Sequence, residues 1–394
     1  MMGARAAGVQ ARANTELFMR IPQKKILVAF LLVAVIGSMA ARMRGFEAVG
    51  PRDASQDAAT SDALKAFTSI EPIDTHVHAF KSDASFTAML SQLHLRVMDI
   101  MVADNHGIYG DLEIERARVK EFVHASDGHA RLCVTFSPFE FQEPGYATKT
   151  VAQLREEFAA GAVAVKIWKN IGMEIKRKDG SYVMPDDRVF APIYQAIAAE
   201  NKTLVAHVAE PTSSWRPLDP DNPDYEYYKE NPEWHMYLHP EYPRKETIIA
   251  ARDHLLAENP KLRVVGAHLG SMETDVDEIA KRFERYPNFA VDMAARMEYL
   301  MIQPREKVRT FLIKYQDRVL YATDLEFLAN QAAADAEKDW KETYARDWKF
   351  LATDQMVTYR KRQIQGLKLP NPVLRRLYHD NAVQWIPGID GGTK

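Results

Sequence analysis

Eight short β-branched or apolar runs recur along the chain between Pro72 and Thr323, and most are followed by a longer stretch with helical apolar spacing. The runs are Pro72 to His78, His94 to Val102, Ala130 to Phe136, Ala162 to Trp168, Thr203 to Val208, Arg263 to His268, Asn288 to Met293 and Arg318 to Thr323. Helix-like segments such as Val151 to Gly161, Ala191 to Lys202 and Glu273 to Pro287 lie between them. Strand, helix, strand in alternation implies right-handed crossovers and a parallel sheet. Eight such units suffice to close a barrel. A doubly wound open sheet usually carries a Gly-rich turn after its first strand, and none follows His78. The expected fold is therefore α/β, a closed (β/α)8 TIM barrel. Two connections are too long for simple turns: Ala209 to about Arg244 after strand five, and Glu326 to about Pro370 after strand eight. The first is dense in aromatic residues, Trp215, Tyr228, Trp234 and Tyr237 among them, and in proline. It is expected as a lid, with a satellite hydrophobic cluster or an oligomer contact as the alternative.

The chain has 394 residues, 46% apolar and 27% charged, the balance of an ordinary globular protein. Its 51 basic and 54 acidic residues give a net charge of -3 without a long basic run. A nucleic-acid surface is not expected, and a small-molecule partner is. Cys133 is the single cysteine, so a metal site would have to use histidine and carboxylate. Near the N-terminus Arg12, Arg20, Lys24 and Lys25 precede an apolar run from Ile26, and Ser38-Met39-Ala40 offers small residues at a cleavage site. Ile26 to Ala40 is shorter than the about 20 residues a stable membrane span needs. Residues 1–40 are read as a cleaved signal peptide, with a membrane anchor as the alternative. Residues 41–65 are read as a linker and 66–394 as the barrel domain. Export to a bacterial periplasm is the corresponding expectation. A homodimer is compatible with the sequence.

The chemistry-bearing side chains fall at the downstream ends of the apolar runs. His76 and His78 are two apart on the first strand, so both imidazoles point the same way. Lys166 ends strand four, His207 strand five and His268 strand six, and Asp324 lies just past strand eight. Barrel enzymes place their chemistry at these ends. Taken singly, each has a plainer reading: hydrogen-bonded core histidines for His207 and His268, and the N-cap of a following helix for Asp324. Trp168 shares the face of Lys166, and Arg296 follows strand seven, where a guanidinium could clamp a substrate carboxylate. Core packing and a surface ion pair are their alternatives.

The order H-x-H, Lys, His, His, Asp over strands one, four, five, six and eight resembles the amidohydrolase superfamily. The segments DTHVH, VKIW, VAHVAE, GAHLG and YATD look most like its amidohydrolase-related branch, which includes aminocarboxymuconate semialdehyde decarboxylase-like enzymes. The likeness runs from about Ile70 to Ile386. It implies a divalent ion, Zn²⁺ first and Mn²⁺ or Fe²⁺ next, held by His76, His78, His207 and Asp324. It also implies that Asp324 takes the proton of a metal-activated water while His268 polarises the substrate carbonyl or orients water. A carboxylated Lys166 would bridge a second ion held by His207 and His268; one ion with an unmodified Lys166 is favoured. The function expected first is hydrolysis of a small-molecule amide, lactone or ester. The second is non-oxidative decarboxylation of an aromatic or unsaturated acid. A non-catalytic, metal-stabilised barrel is a reading of another class.

Overall fold

The computed structural model describes residues 54–104, 111–360 and 362–391. The segments read as a signal peptide and the first part of the linker lie outside these residues. Among the described residues no helix is long and apolar enough to cross a membrane. The strands of the main sheet are β1 (Ile73–Ala79), β2 (Arg96–Ile100), β3 (Ala130–Thr135), β4 (Ala164–Ile167), β5 (Thr203–Ala206), β6 (Arg263–Gly266), β7 (Phe289–Asp292), β8 (Val319–Leu320) and β9 (Leu325–Phe327). All neighbours are parallel, in the order β8-β7-β6-β5-β4-β3-β2-β1-β9. This is a TIM-barrel-like α/β fold with helices between successive strands. β8 pairs with β7 and β9 pairs with β1, and only four residues separate β8 from β9. Backbone bonds continue across that gap, from Thr75 N to Tyr321 O at 3.2 Å and from Asp324 N to His76 O at 2.8 Å.

Alternation along the strands sorts the side chains into two cores. Outward residues such as Val97, Val134, Val165, Leu204, Val264 and Val291 pack under the helices. Ile73, Ile100, Cys133, Ala164, Val205, Val265, Ala290 and Leu320 form a second cluster with Ala382, Trp385, Ile386 and Ile389, so the C-terminal segment plugs the inside of the sheet. Lys166 shares parity with Ala164, His207 with Val205 and Asp292 with Ala290, which places these groups on the same inner face, one layer further along. β1 reaches the same result by an irregularity. Its register with β2 shifts between Asp74 and Val77, which lets Ile73 and then His76 and His78 all face inward.

Two segments carry more regular structure than their polar composition suggests. The region after strand eight is largely regular. It contains β9, the helix Ala333–Ala352, and a hairpin of β10 (Met356–Tyr359) and β11 (Arg362–Gln365). Ala336, Trp340, Tyr344 and Leu351 make a buried stripe at helical spacing along that helix, a periodicity that outweighs its charged residues. The expected linker also overlaps a helix, Ala54–Thr68. Phe67 at its end is fully buried and stacks on Tyr344 at 4.9 Å, so packing rather than composition orders this segment.

Candidate active site

Three strand ends at the mouth of the sheet leave regular geometry in the same way. His268, Leu269, Gly270 and Ser271 are successive residues with φ of 59°, 57°, 62° and 58°, a left-handed turn directly after β6. Ala295 after β7 has φ of 50°, and Asp324 between β8 and β9 has φ of 65°. Each non-glycine residue in this region costs about 1–2 kcal/mol, so the surrounding structure has to hold it there. His268 was expected as the last residue of a strand; the turn instead rotates its ring toward β1.

The rings are gathered. His76 lies 5.4 Å from His78 and 4.9 Å from His268, centroid to centroid, and His207 lies 4.2 Å from His268. Ligating atoms of His76, His268 and Asp324 all lie within 4.8 Å of one another. Asp324 Oδ1 is 3.3 Å from His76 Nε2 and 3.4 Å from His78 Nε2. Lys166, 1% exposed, places Nζ 3.1 Å from His76 Nε2.

Hydrogen bonds on the far side of each ring decide what faces the centre. His78 Nδ1 lies 2.8 Å from Ile100 O and His268 Nδ1 lies 3.0 Å from Ala294 O. A carbonyl only accepts, so each Nδ1 carries the proton and each Nε2 is left with a lone pair. His207 Nε2 is buried and has no hydrogen-bond partner among the described residues. Burial holds His207 and His268 well below the usual imidazole range, keeping them neutral, and it lowers His76 in the same sense. Burial alone would raise the Asp324 carboxyl, but neighbouring His76 and His268 hold it well below the usual carboxylate range. At His76 an imidazole lone pair therefore meets a carboxylate oxygen, acceptor against acceptor, at 3.3 Å, and the His78 Nε2 lies 3.4 Å from the same oxygen. Two ligand atoms about 2.1 Å from one ion lie at most about 4.2 Å apart, so these separations and this donor set fit a divalent cation. A proton fills the same need at His78, where the Asp324 carboxylate outweighs burial and raises the imidazole pKa.

Asp292, which ends β7, was not singled out from the sequence. Its Oδ2 lies 3.1 Å from His76 Nδ1, while Oδ1 accepts from the backbone N of His268 at 2.8 Å and of Ala294 at 3.1 Å. Asp74 is the second such residue. Its carboxylate accepts from Thr323 N at 3.1 Å, Thr323 Oγ1 at 2.6 Å and Tyr344 OH at 3.0 Å, tying β1 to the turn that presents Asp324. Asp324 caps no helix: β9 follows it at once.

The two substrate-side candidates are placed differently: the charge of Arg296 is felt at His207 and His268, whereas Trp168 meets Trp234 and Lys169. Arg296 is 7% exposed, donates to Ala295 O at 2.7 Å and has an Nε without a partner among the described residues. Its charge reaches both His207 and His268, and Asp224 and Tyr299 help keep it protonated against the cost of burial. Trp168 packs edge-on against Trp234, ring centres 5.7 Å apart. Lys169, next along, places its ammonium 3.8 Å from the Trp234 ring centre and pairs with Glu210, which also accepts from Tyr228 OH at 2.8 Å. The aromatic segment after β5 is thus seated on the site's rim. A buried Lys245–Glu273 pair at 3.2 Å, with Thr212 N donating to Glu273 at 2.7 Å, fixes its first turn. His106, which follows the second apolar run, lies outside the described residues.

Neutral imidazoles and a carboxylate at the carboxyl ends of a TIM-barrel-like sheet define a metal-dependent enzyme of the barrel class. A family model described as amidohydrolase matches residues 73–387, and the chain belongs to that family, in agreement with the five motifs that carried the resemblance. A search of curated proteins finds no match. Among solved structures the chain is similar to 2,6-dihydroxybenzoate decarboxylase from Rhizobium, at 13% identity over 80% of this chain and 98% of that one, with a TM-score of 0.46. It is similar to a dihydroxybenzoic acid decarboxylase from Polaromonas with bound manganese and the inhibitor 2-nitroresorcinol, at 12% identity over 80% and 97%, TM-score 0.43. 4-Oxalomesaconate hydratase from Rhodopseudomonas palustris is a third, at 12% identity over 81% and 97%, TM-score 0.42.

Proposed function

We propose that the protein is a metal-dependent hydrolase acting on a small-molecule amide, lactone or ester. In this reading β8 and β9 are two halves of the eighth strand of a (β/α)8 barrel, and the catalytic turn interrupts it. The observation that carries the proposal is the gathering of ligand atoms of His76, His268 and Asp324 within 4.8 Å of one another, with the Asp324 carboxylate 3.3 Å from His76 Nε2. His76, His78, His207 and Asp324 would hold one divalent ion, zinc first and manganese or iron next. When bound, that ion supplies Lewis-acid polarisation and acidifies water near neutral pH. Asp324, ionised and within reach of the centre, accepts the proton of the attacking water and returns it to the leaving group. His268, neutral and with the lone pair of Nε2 turned inward, orients water by accepting a hydrogen bond from it. Arg296 binds a substrate carboxylate, its buried Nε having no hydrogen-bond partner among the described residues. Trp168 forms part of the apolar wall, through its packing on Trp234.

The buried Arg296 also favours a second reading, in which the substrate is an aromatic or unsaturated acid that loses carbon dioxide. In either case the protein is exported to a bacterial periplasm by its N-terminal segment. Lys166 acts unmodified beside one ion. Metal analysis of the wild type and Lys166→Ala tests this, with one ion per chain expected in both and a loss of one of two ions marking a carboxylated bridge. The deciding experiment combines a hydrolytic substrate panel with a carbon-dioxide assay on the zinc- and manganese-loaded chain. Hydrolysis that chelation abolishes, and that Asp324→Asn slows by about 10²–10⁴-fold, is the expected result. Decarboxylation without hydrolysis would replace the first reading with the second.

A further inference from the structure

We infer that Asp292 is a positioning residue that fixes the tautomer of His76 and, through its other oxygen, the left-handed turn that carries His268. The inference extends the metal-site reading above, because its consequence is felt at the proposed ligands. His76 is the ring nearest the middle of the cluster, and it differs from His78 and His268 in what lies behind it. They bond to backbone carbonyls, whereas His76 meets a carboxylate at 3.1 Å. An ionised carboxylate accepts and cannot donate, so the His76 proton sits on Nδ1 and Nε2 carries the lone pair. On the opposite side Lys166 Nζ lies 3.1 Å from Nε2, and an ammonium only donates. Both neighbours therefore select the same tautomer from opposite edges of the ring. Such outer carboxylates also make the imidazole a stronger base toward a cation.

The remaining oxygen acts on the backbone. Asp292 Oδ1 accepts from His268 N and Ala294 N at 2.8 and 3.1 Å, at the first residue of the His268–Ser271 left-handed turn and beside Ala295. One side chain, 1% exposed, thus restrains a ring on β1 and the strained chain after β6 and β7. These three contacts occupy both oxygens and point to a site built around the carboxylate.

Asp292→Asn separates the two tasks. Its oxygen can keep both backbone bonds, which leaves the amide to face His76 Nδ1. An amide NH₂ only donates, so His76 must accept at Nδ1 and move its proton to Nε2, where a cation needs the lone pair. In the metal-free chain labelled with ¹⁵N-histidine, His76 is assigned as the signal missing from His76→Gln. The wild type is expected to show the proton on Nδ1 and Asp292→Asn the proton on Nε2. Zinc affinity, measured by competition with a chelating dye, is expected to fall about 10–100-fold in Asp292→Asn while circular dichroism stays unchanged. A wild-type His76 protonated on Nε2 overturns the inference and requires no variant to fold. So does Asp292→Asn with unaltered tautomer and zinc affinity. A wild type that binds neither Zn²⁺ nor Mn²⁺ sinks the proposed function instead, and the metal-free tautomer still decides the role of Asp292.

Discussion

Glu115 shows how burial of a single carboxylate makes stability depend on pH. Burial pushes its pKa up to about 7, although Val102 N donates to it at 3.1 Å and Arg118 approaches within 3.4 Å. Its value in the unfolded chain is about 4.3. Between these two pH values the folded chain binds more protons than the unfolded one, so stability falls as pH rises and levels off above about pH 7. The effect is at most about 4 kcal/mol. Glu115→Gln keeps an acceptor for Val102 and removes the charge. In urea titrations from pH 5 to pH 8 it is expected to gain about 1–3 kcal/mol on the wild type. A constant difference across that range contradicts the assignment. At this scale the sequence is informative where spacing specifies a face, as for His76 and His78, and where a polar residue ends an apolar run, as for Lys166 and His207. Asp292 obeys the second rule too. It was missed because FAVD followed by MAAR reads as an ordinary strand exit, and no local signal says that its partners are 216 and 24 residues away. For Trp168 the spacing specified a face shared with Lys166 but gave no sign of its packing partner Trp234, 66 residues further along.

Elements were legible through periodicity, and their ends were not. The apolar runs matched the strands to within a few residues, but the chain leaves β6 at Gly266 rather than at His268, and the reason is steric. A Cβ on Gly266 would lie 2.8 Å from the Phe289 ring and 2.9 Å from the Gly270 Cα, so the left-handed turn folds back over a residue that cannot carry a side chain. Gly270 is similarly confined, with φ of 62° and Arg252 Nη1 3.0 Å from a notional Cβ. Gly266→Ala is expected to destabilise the fold by about 1–3 kcal/mol, because the fully buried Phe289 ring and the Gly270 backbone stand in the way. It is also expected to weaken zinc binding, since His268 is two residues further on. Thermal unfolding and metal titration of the same sample check both. A variant with unchanged melting temperature shows that the turn can relax and removes the steric account. The GAHLG motif marked the place, but nothing in its composition distinguishes a strand end from a left-handed turn. Similarly, the helix Ala54–Thr68 hides in a polar composition because its anchoring partner, Tyr344, is 277 residues beyond Phe67.

Across the whole molecule, the two long connections that the sequence marked separately meet each other. Arg360, at the tip of the β10–β11 hairpin with φ of 50°, donates to Asn222 O at 3.0 Å and to Pro223 O at 2.6 Å. The hairpin that follows the helix Ala333–Ala352 is thereby joined to the aromatic segment that returns to Trp168 and Lys169. Neither partner has regular structure with which to hold itself: a two-stranded hairpin is marginal alone, and the aromatic segment consists of short turns and the six-residue helix Tyr225–Glu230. Bonds from a charged donor contribute about 1.5–3 kcal/mol each at most. Arg360→Ala is therefore expected to raise the open population of the segment by about tenfold or more, leaving the strands and the metal cluster intact. Limited proteolysis reads this as faster cleavage between residues 216 and 244, with zinc affinity unchanged. Cleavage at the wild-type rate would show that the buried Lys245–Glu273 pair and the Trp234–Lys169 contact hold the segment by themselves, and would return it to the status of a satellite cluster with no lid motion to control.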